Sequence, residues 1–229
     1  MKVRKKILYY ILSAIAVALT CSFGPLFDDG DGMVSVIGAI VTCSKDRLSE
    51  YTIFRAFNSG MTGTIDMLLP VCCAVPSASY IYDEIKSGMF PYIHMRRGRY
   101  RYIYSAYAYS AISGAATVMA GLITYIIFLS FFFHFGAGGA AEPEGMSAII
   151  TQTGFVVINK MMYGAAMAVC ASFLIYMYAN LYFVLSVLFI ISYAARDIFY
   201  VSNISYFIAT LAVMAVLYGI MWRYRSERI

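Results

Sequence analysis

Charged residues are scarce in this sequence. Of its 229 residues only 13% are charged, whereas 62% are hydrophobic, and the mean hydropathy is +0.74. Because soluble domains carry about a quarter charged residues, this composition excludes an ordinary soluble domain. It predicts an integral membrane protein.

The residues that usually carry catalysis or bind metal are also few or poorly spaced. The chain has two histidines, His94 and His134, and it lacks both an H-E-x-x-H motif and a G-x-x-x-x-G-K-[ST] phosphate-binding loop. Its five cysteines, with Cys72 and Cys73 adjacent, show no metal-site or disulfide spacing and are interpreted as small apolar residues. We therefore predict no catalytic residue, no metal site and no cofactor on this chain.

Long apolar runs fill most of the chain. Crossing a hydrocarbon core of roughly 30 Å takes about 20 helical residues, and the run Met161–Ala195 is too long for one crossing, at about 52 Å of helix. Asn180 is the natural break within it. The fold class is therefore predicted to be all-α, one membrane domain over residues 1–229. Its six spans are predicted at residues 7–27, 63–82, 103–133, 161–179, 181–195 and 204–222.

Lysine and arginine divide unequally between the two sides of this six-span arrangement. With the N-terminus inside, twelve of the 17 basic residues lie on the cytoplasmic side and five lie outside. Short loops rich in lysine and arginine remain cytoplasmic, so both termini are predicted to be cytoplasmic. The net charge of +5 is explained by topology and by anionic lipid headgroups, and it requires no nucleic acid.

Polar residues at the ends of the spans allow two interpretations each. Asp66 is the one acid near a span, and it is a candidate for the substrate path or an outer gate because charge is costly there. Alternatively, it complements the dipole at the start of the second span. Tyr100, Tyr102, Tyr104 and Tyr107 lie where an interfacial tyrosine belt is expected. A path for an amphipathic substrate is the alternative.

The segment Asp83–Arg101, DEIKSGMFPYIHMRRGRYR, lies between spans two and three on the cytoplasmic side. Topology accounts for its arginines but not for the Asp83-Glu84 pair, nor for Ser87-Gly88 followed by Pro91. Glycine and proline break the descending helix. A short surface helix held there can pass force from a cytoplasmic partner to two spans at once.

A larger pattern over roughly Gly63–Tyr109 contains this segment. Pro70 and Pro76 lie within an apolar span, followed by Glu84, Ser87-Gly88, the cluster Arg96-Arg97-Gly98-Arg99 and tyrosines entering span three. This pattern resembles the membrane subunits of ABC-2-type ABC transporters, the small six-span permeases of bacteria. In that family the corresponding loop, predicted here over residues 83–102, contains the coupling helix that fits a groove on the ATPase. The resemblance therefore implies these ATPase-coupling residues: Glu84, Ser87, Gly88, Phe90, Pro91, Tyr92, Ile93, Arg96 and Arg97.

The resemblance also implies which subunits this chain binds and what it transports. It implies a half-transporter in the bacterial cytoplasmic membrane, in contact with lipid, with a second permease subunit and two copies of an ATPase subunit that hold ATP and magnesium. An amphipathic or peptide-like substrate would be exported, as in antimicrobial-peptide export or self-immunity. The chain itself is not expected to be an enzyme. The alternative function is a membrane-embedded substrate-capture subunit of a small-molecule transporter.

Two features depart from compact members of the family. The first outside loop is long, and the fifth span is short. In the family the fifth segment can be a partly re-entrant hairpin, so Arg196 need not mark the end of a full crossing.

Overall fold

Helices make up most of the described chain. The computed structural model describes residues 2–28, 32–42, 53–61, 64–88, 99–133, 146–194 and 204–226. The helices are α1 (Lys2–Ser22), α2 (Val36–Thr42), α3 (Ile53–Gly60), α4 (Thr64–Lys86), α5 (Arg99–Ser130), α6 (Met146–Tyr178), α7 (Leu181–Ala194) and α8 (Ile204–Ser226).

A short hairpin is the one non-helical element among the described residues. Strands β1 (Pro25–Asp28) and β2 (Gly32–Ser35) pair antiparallel, with Pro25 opposite Ser35 and Asp28 opposite Gly32. The predicted all-α class is confirmed in its coarse form, and the hairpin is an addition that the apolar runs did not indicate.

Helix α4 lies at the centre of the bundle. It packs against α1, α5, α6 and α7, while α6 makes its most extensive contact with α5, and α8 packs mainly on α6. Small residues allow helices α5 and α6 to approach each other closely. A Cβ on Gly114 of α5 would overlap the Gly164 carbonyl oxygen of α6 and lie 2.6 Å from the Ala168 Cβ. Such contacts between small residues are typical of helix packing in membranes.

The termini of the helices lie at one or the other of two opposite ends of the bundle. Tyr10 of α1 bonds to Ser113 of α5, and the ring of Tyr107 of α5 lies 5.7 Å from that of Tyr218 of α8. The start of α1, the end of α4 and the end of α8 therefore share one end of the bundle, which we call the Glu84 end. The β1–β2 hairpin, α2 and α3 lie at the other, the hairpin end.

The exterior of this bundle is apolar. Two helical segments, Arg101–Ser130 and Thr151–Tyr178, are long and apolar enough to cross a membrane by length and composition. Large hydrophobic side chains are exposed in stripes along the other long helices too, as in α1 (Ile7, Ile11, Ile15, Leu19) and α8 (Ile208, Val213, Val216, Ile220).

Hydroxyl groups are buried inside the same bundle. The buried polar residues are Ser13, Thr20, Ser22, Ser77, Ser79, Ser110, Ser113, Thr117, Ser172 and Ser192. Contiguous apolar stripes outside and hydroxyls inside are the reverse of what water favours, and exposed apolar surface on this scale marks an interaction with lipid or protein.

The helices differ from the predicted spans mainly at their ends. Helix α4 continues to Lys86 and α5 begins at Arg99, so both ends of the predicted loop 83–102 are helical, while residues 89–98 lie outside the described residues. Helix α6 begins at Met146 rather than near residue 161.

The break between α6 and α7 includes Asn180, the residue at which the length of the run Met161–Ala195 predicted it. Ala179 has a φ of 50°, and Asn180 caps α7, its side-chain oxygen accepting from the Phe183 N–H at 3.3 Å. At 14 residues, α7 is about 21 Å long, shorter than a full crossing.

Candidate functional site

The end of α4 holds the first three of the predicted coupling residues. The Ser87 N–H donates to the Asp83 carbonyl at 3.0 Å, and the Gly88 N–H donates to the Ile85 carbonyl at 3.2 Å. Gly88 has a φ of +66°, the left-handed conformation that commonly ends a helix. The predicted glycine break is confirmed. The Ser87 hydroxyl also donates to the Glu84 carbonyl at 3.1 Å.

The remaining predicted coupling residues, Phe90, Pro91, Tyr92, Ile93, Arg96 and Arg97, lie outside the described residues.

Asp66 is far from the rest of the predicted site. It is the third residue of α4, and its side chain lies outside the described part of the chain. Along the helix it is about 27 Å from Glu84, at the rise of about 1.5 Å per residue. The structure therefore does not bring Asp66 and Glu84 together.

A hydrogen-bond chain ties the Glu84 carboxylate to two neighbouring helices. Its Oε2 accepts from the Tyr102 hydroxyl of α5 at 2.7 Å, and the Tyr102 oxygen accepts from the Tyr176 hydroxyl of α6 at 3.3 Å. Glu84 is half-buried, whereas both tyrosines are buried. Hydrogen bonds to an ionised carboxylate are shorter and stronger than neutral ones. The end of α4 is thus linked to α5 and α6 through hydrogen bonds that begin at one side chain.

The tyrosine-belt interpretation is wrong for Tyr102. Its side chain is 5% exposed, whereas that of Tyr104, two residues further on, is 55% exposed. Successive helical residues point in different directions, so tyrosines within one turn have different surroundings. Tyr104 keeps the outward position that a belt requires, and Tyr102 turns inward to Glu84.

Further tyrosines surround this chain of bonds. Tyr10 of α1 donates to the Ser113 Oγ of α5 at 2.7 Å, and its oxygen lies 3.3 Å from the Tyr109 hydroxyl. The rings of Tyr109 and Tyr80 are 5.2 Å apart. Tyr80 lies four residues before Glu84 on the same face of α4, and Tyr176 is linked to Glu84 through Tyr102. We call this set the Glu84 cluster, made of Tyr10, Tyr80, Glu84, Tyr102, Tyr109 and Tyr176.

Helix α8 joins the same end through tyrosine contacts. The Tyr107 hydroxyl of α5 donates to the Leu211 carbonyl at 2.8 Å. Tyr218 places its ring 5.7 Å from that of Tyr107 and 6.1 Å from that of Tyr176, both edge-on. Tyrosine side chains from α1, α4, α5, α6 and α8 therefore converge at the Glu84 end.

The described residues bring no cation to Glu84. Within the part of the chain that the structure describes, its carboxylate is bonded to Tyr102 alone. The nearby ammonium group of Lys86 lies 5.6 Å from the centre of the Tyr82 ring, and Arg101 is exposed. Within the described ranges no group of three or more His, Cys, Asp or Glu side chains could hold a metal ion.

That tyrosines surround Glu84 was not predicted from the sequence, although their spacing along α5 contains part of this information. Tyr102, Ala106, Tyr109 and Ser113 are spaced i, i+4, i+7 and i+11, so they share one face of α5. The opposite face of α5, which includes Tyr104 and Ile112, is exposed. The spacing places Tyr102 and Tyr109 on one face and Tyr104 on another, but it does not say which of the two faces is buried.

Comparisons with known proteins place the chain in no family. No family model matches it, and neither the curated proteins nor the solved structures contain a significant match.

Proposed function

We propose that this chain is the membrane permease subunit of an ATP-driven transporter of the ABC-2 type. In this proposal it crosses the bacterial cytoplasmic membrane with both termini inside, and it works with a second permease subunit. Two copies of a separate ATPase subunit bind ATP and magnesium. The direction is export, and the substrate is amphipathic or peptide-like.

The apolar exterior supports a membrane location. Stripes of exposed Ile, Leu, Val and Phe cover α1, α5 and α8, while serine and threonine hydroxyls are inside. In a bilayer the outer side chains meet lipid, and buried hydroxyls bond across or within helices. The Ser172 Oγ of α6 lies 2.7 Å from the Ser110 Oγ of α5, a contact of this kind.

The bond between Glu84 and Tyr102 is the observation that carries the coupling role. Residues 87–98 connect α4 to α5, and Glu84 and Tyr102 lie close to the two ends of that connection. A force applied to the connection by a partner would reach α4 and α5 together. Through Tyr176 it would also reach α6.

Co-purification tests the partnership. The chain is expressed from its native chromosomal region with an affinity tag, solubilised in mild detergent and isolated. We expect an ATP-binding subunit in stoichiometric amount. An active transporter that contains no ATPase subunit would contradict the proposal and favour the substrate-capture alternative.

Replacement of Glu84 tests the coupling. Glu84→Gln keeps the shape of the side chain but weakens the bond to Tyr102, whereas Asp83→Asn makes the same charge change on an exposed neighbour. We expect Glu84→Gln to lower transport per ATP hydrolysed by about tenfold, since a neutral bond contributes about 1–1.5 kcal/mol less than a bond to a charged group, and about 1.4 kcal/mol corresponds to a factor of ten. Asp83→Asn should leave this ratio unchanged. Equal effects at both positions would exclude a specific role for Glu84.

A further inference from the structure

We propose that the Glu84 cluster is a recognition site for an organic cation, a substituted ammonium or guanidinium group carried by an amphipathic molecule. In naming a substrate class the inference rests on the proposed transport function, but the binding itself requires no ATPase. We draw the inference from the carboxylate, the aromatic rings and the hydroxyl groups that lie together at the Glu84 end.

Among the described residues, the Glu84 carboxylate has no charged partner. Oε2 accepts one bond, from the neutral Tyr102 hydroxyl, and no bond to Oε1 is found among the described residues. Glu84 is half-buried at the end of α4. Moving a carboxylate out of water is costly unless a cation or several donors compensate it. A bound cation would supply the missing partner at Oε1.

Aromatic rings beside the carboxylate favour an organic cation. Tyr80 and Tyr109 are 5.2 Å apart with ring planes inclined by 56°, and Tyr80 lies four residues before Glu84 on the same face of α4. Ring faces attract a cation within about 6 Å of their centres, and they also contact its alkyl substituents. A divalent metal ion would instead need several oxygen ligands, and the described residues offer no such group.

An unpartnered hydroxyl lies one turn deeper in the bundle. Ser13 is three residues after Tyr10 on α1, so both side chains share one face of the helix. Its side chain is 3% exposed, and its Oγ has no hydrogen-bond partner within the described part of the chain. Buried polar groups almost always have partners. Ser13 is therefore placed to bond a polar group that lies next to the cation in the same ligand.

Equilibrium binding of a defined probe tests the site. The full-length chain is placed in nanodiscs of uncharged phosphatidylcholine and titrated with radiolabelled decyltrimethylammonium. Decyl maltoside, which has the same alkyl chain without charge, serves as competitor. We expect saturable binding of the ammonium probe that decyl maltoside does not displace. Displacement by decyl maltoside at similar concentration would show simple partitioning of the alkyl chain and would overturn the proposal.

Two matched variants locate the charge that binds. Glu84→Gln should weaken binding of decyltrimethylammonium by about tenfold, because the ionic partner is lost. Asp83→Asn should change it less than about twofold, as expected for an exposed charge. Equal weakening in the two variants would indicate general attraction to negative charge, and unchanged binding in Glu84→Gln would remove Glu84 from the site.

Protection of the unaltered protein gives a second readout. A water-soluble carbodiimide with glycine ethyl ester modifies accessible carboxyl groups, and mass spectrometry measures the extent at Glu84 and Asp83 separately. We expect decyltrimethylammonium to slow modification at Glu84 and not at Asp83. Equal rates with and without the probe would overturn the proposal. A cation site without any co-purifying ATPase would refute the proposed function alone.

Discussion

The two ends of the bundle are held together by different chemistry. At the hairpin end, backbones meet directly: a Cβ on Gly24 would lie 2.5 Å from the Gly60 Cα, and one on Gly60 would lie 2.8 Å from the Cys21 carbonyl oxygen. At the Glu84 end, helices meet through long side chains, as in the bonds that join Glu84, Tyr102 and Tyr176.

This difference separates a fixed end from an adjustable one. Backbone contacts at van der Waals distance cannot shift by a few tenths of an ångström without overlap, because protein interiors are close-packed. Hydroxyl and carboxylate groups at the ends of side chains can exchange partners by rotation about single bonds. A segment that receives force or binds a ligand is better placed at the adjustable end, where Glu84 lies.

The largest expected effect comes from filling the close contact at the hairpin end. In Gly60→Val the new side chain would overlap the Tyr125 hydroxyl, so α3 would be pushed from α5. Overpacking of this kind costs about 1–3 kcal/mol. We expect a lower midpoint of thermal unfolding in detergent, measured by size-exclusion chromatography after heating.

The matched control for this prediction is Gly219→Ala in α8. A Cβ at Gly219 meets no atom within 4 Å. Alanine stabilises a helix interior by roughly 0.5–1 kcal/mol relative to glycine, so this variant should unfold at the same temperature or higher. A similar loss of stability in both variants would mean that the close contact at Gly60 does not cause the destabilisation of Gly60→Val.

The sequence predicted the helices better than it predicted the site. Apolar runs placed both ends of α1, α4, α5 and α8 to within about five residues, since an apolar helix of about 20 residues can be recognised wherever it packs. Asn180 ended a run too long for one helix. The hairpin was missed, because each strand has only four residues, although Asp29-Gly30 lies between them.

Which face of a helix is buried was much harder to predict. In a bundle with an apolar exterior, both the outward and the inward side of a helix are hydrophobic, so periodicity does not separate them. Tyr102 and Tyr104 are the same residue type within one turn, yet one bonds Glu84 and the other is exposed. The difference depends on where α4 and α6 pack against α5, which is a property of the whole fold.

The second prediction tests the adjustable end. Tyr102→Phe removes the donor to Glu84 and the acceptor for Tyr176 together. Loss of a bond to a part-buried charged group should cost about 1–2 kcal/mol. We expect a lower unfolding midpoint that is still higher than that of Gly60→Val.

A double-mutant cycle identifies the source of this loss. In a background that carries Glu84→Gln, Tyr102→Phe should cost less than it does in the unaltered chain, because the strong bond has already been weakened. Additive losses would show that the two residues act independently, and the link between α4 and α5 would then need another explanation.

The third prediction concerns the turn that follows Tyr176. Ala179 has a φ of 50°, and a left-handed conformation costs a residue with a Cβ roughly 1–2 kcal/mol. Ala179→Gly removes this strain but increases the freedom of the unfolded chain, so we expect a net stabilisation of about 0.5–1 kcal/mol. Ala209→Gly, in the interior of α8, should instead destabilise by a similar amount. The same sign for both variants would contradict the strained conformation.

The smallest expected effect comes from a tyrosine-to-phenylalanine substitution at the hairpin end, matched to Tyr102→Phe at the Glu84 end. Tyr125 donates to the Ala56 carbonyl at 3.3 Å, and its ring lies 6.0 Å from that of Phe57. The Ala56 carbonyl also accepts a helical bond within α3, so it keeps a partner when the hydroxyl is removed. Tyr125→Phe should therefore cost about 0.5 kcal/mol or less, measured by the same unfolding midpoint. Because Tyr125→Phe and Tyr102→Phe delete the same atom, their difference measures how much each end depends on hydroxyl groups. If Tyr125→Phe costs as much as Tyr102→Phe, both ends depend on hydrogen bonds alike, and the distinction between a fixed and an adjustable end is lost.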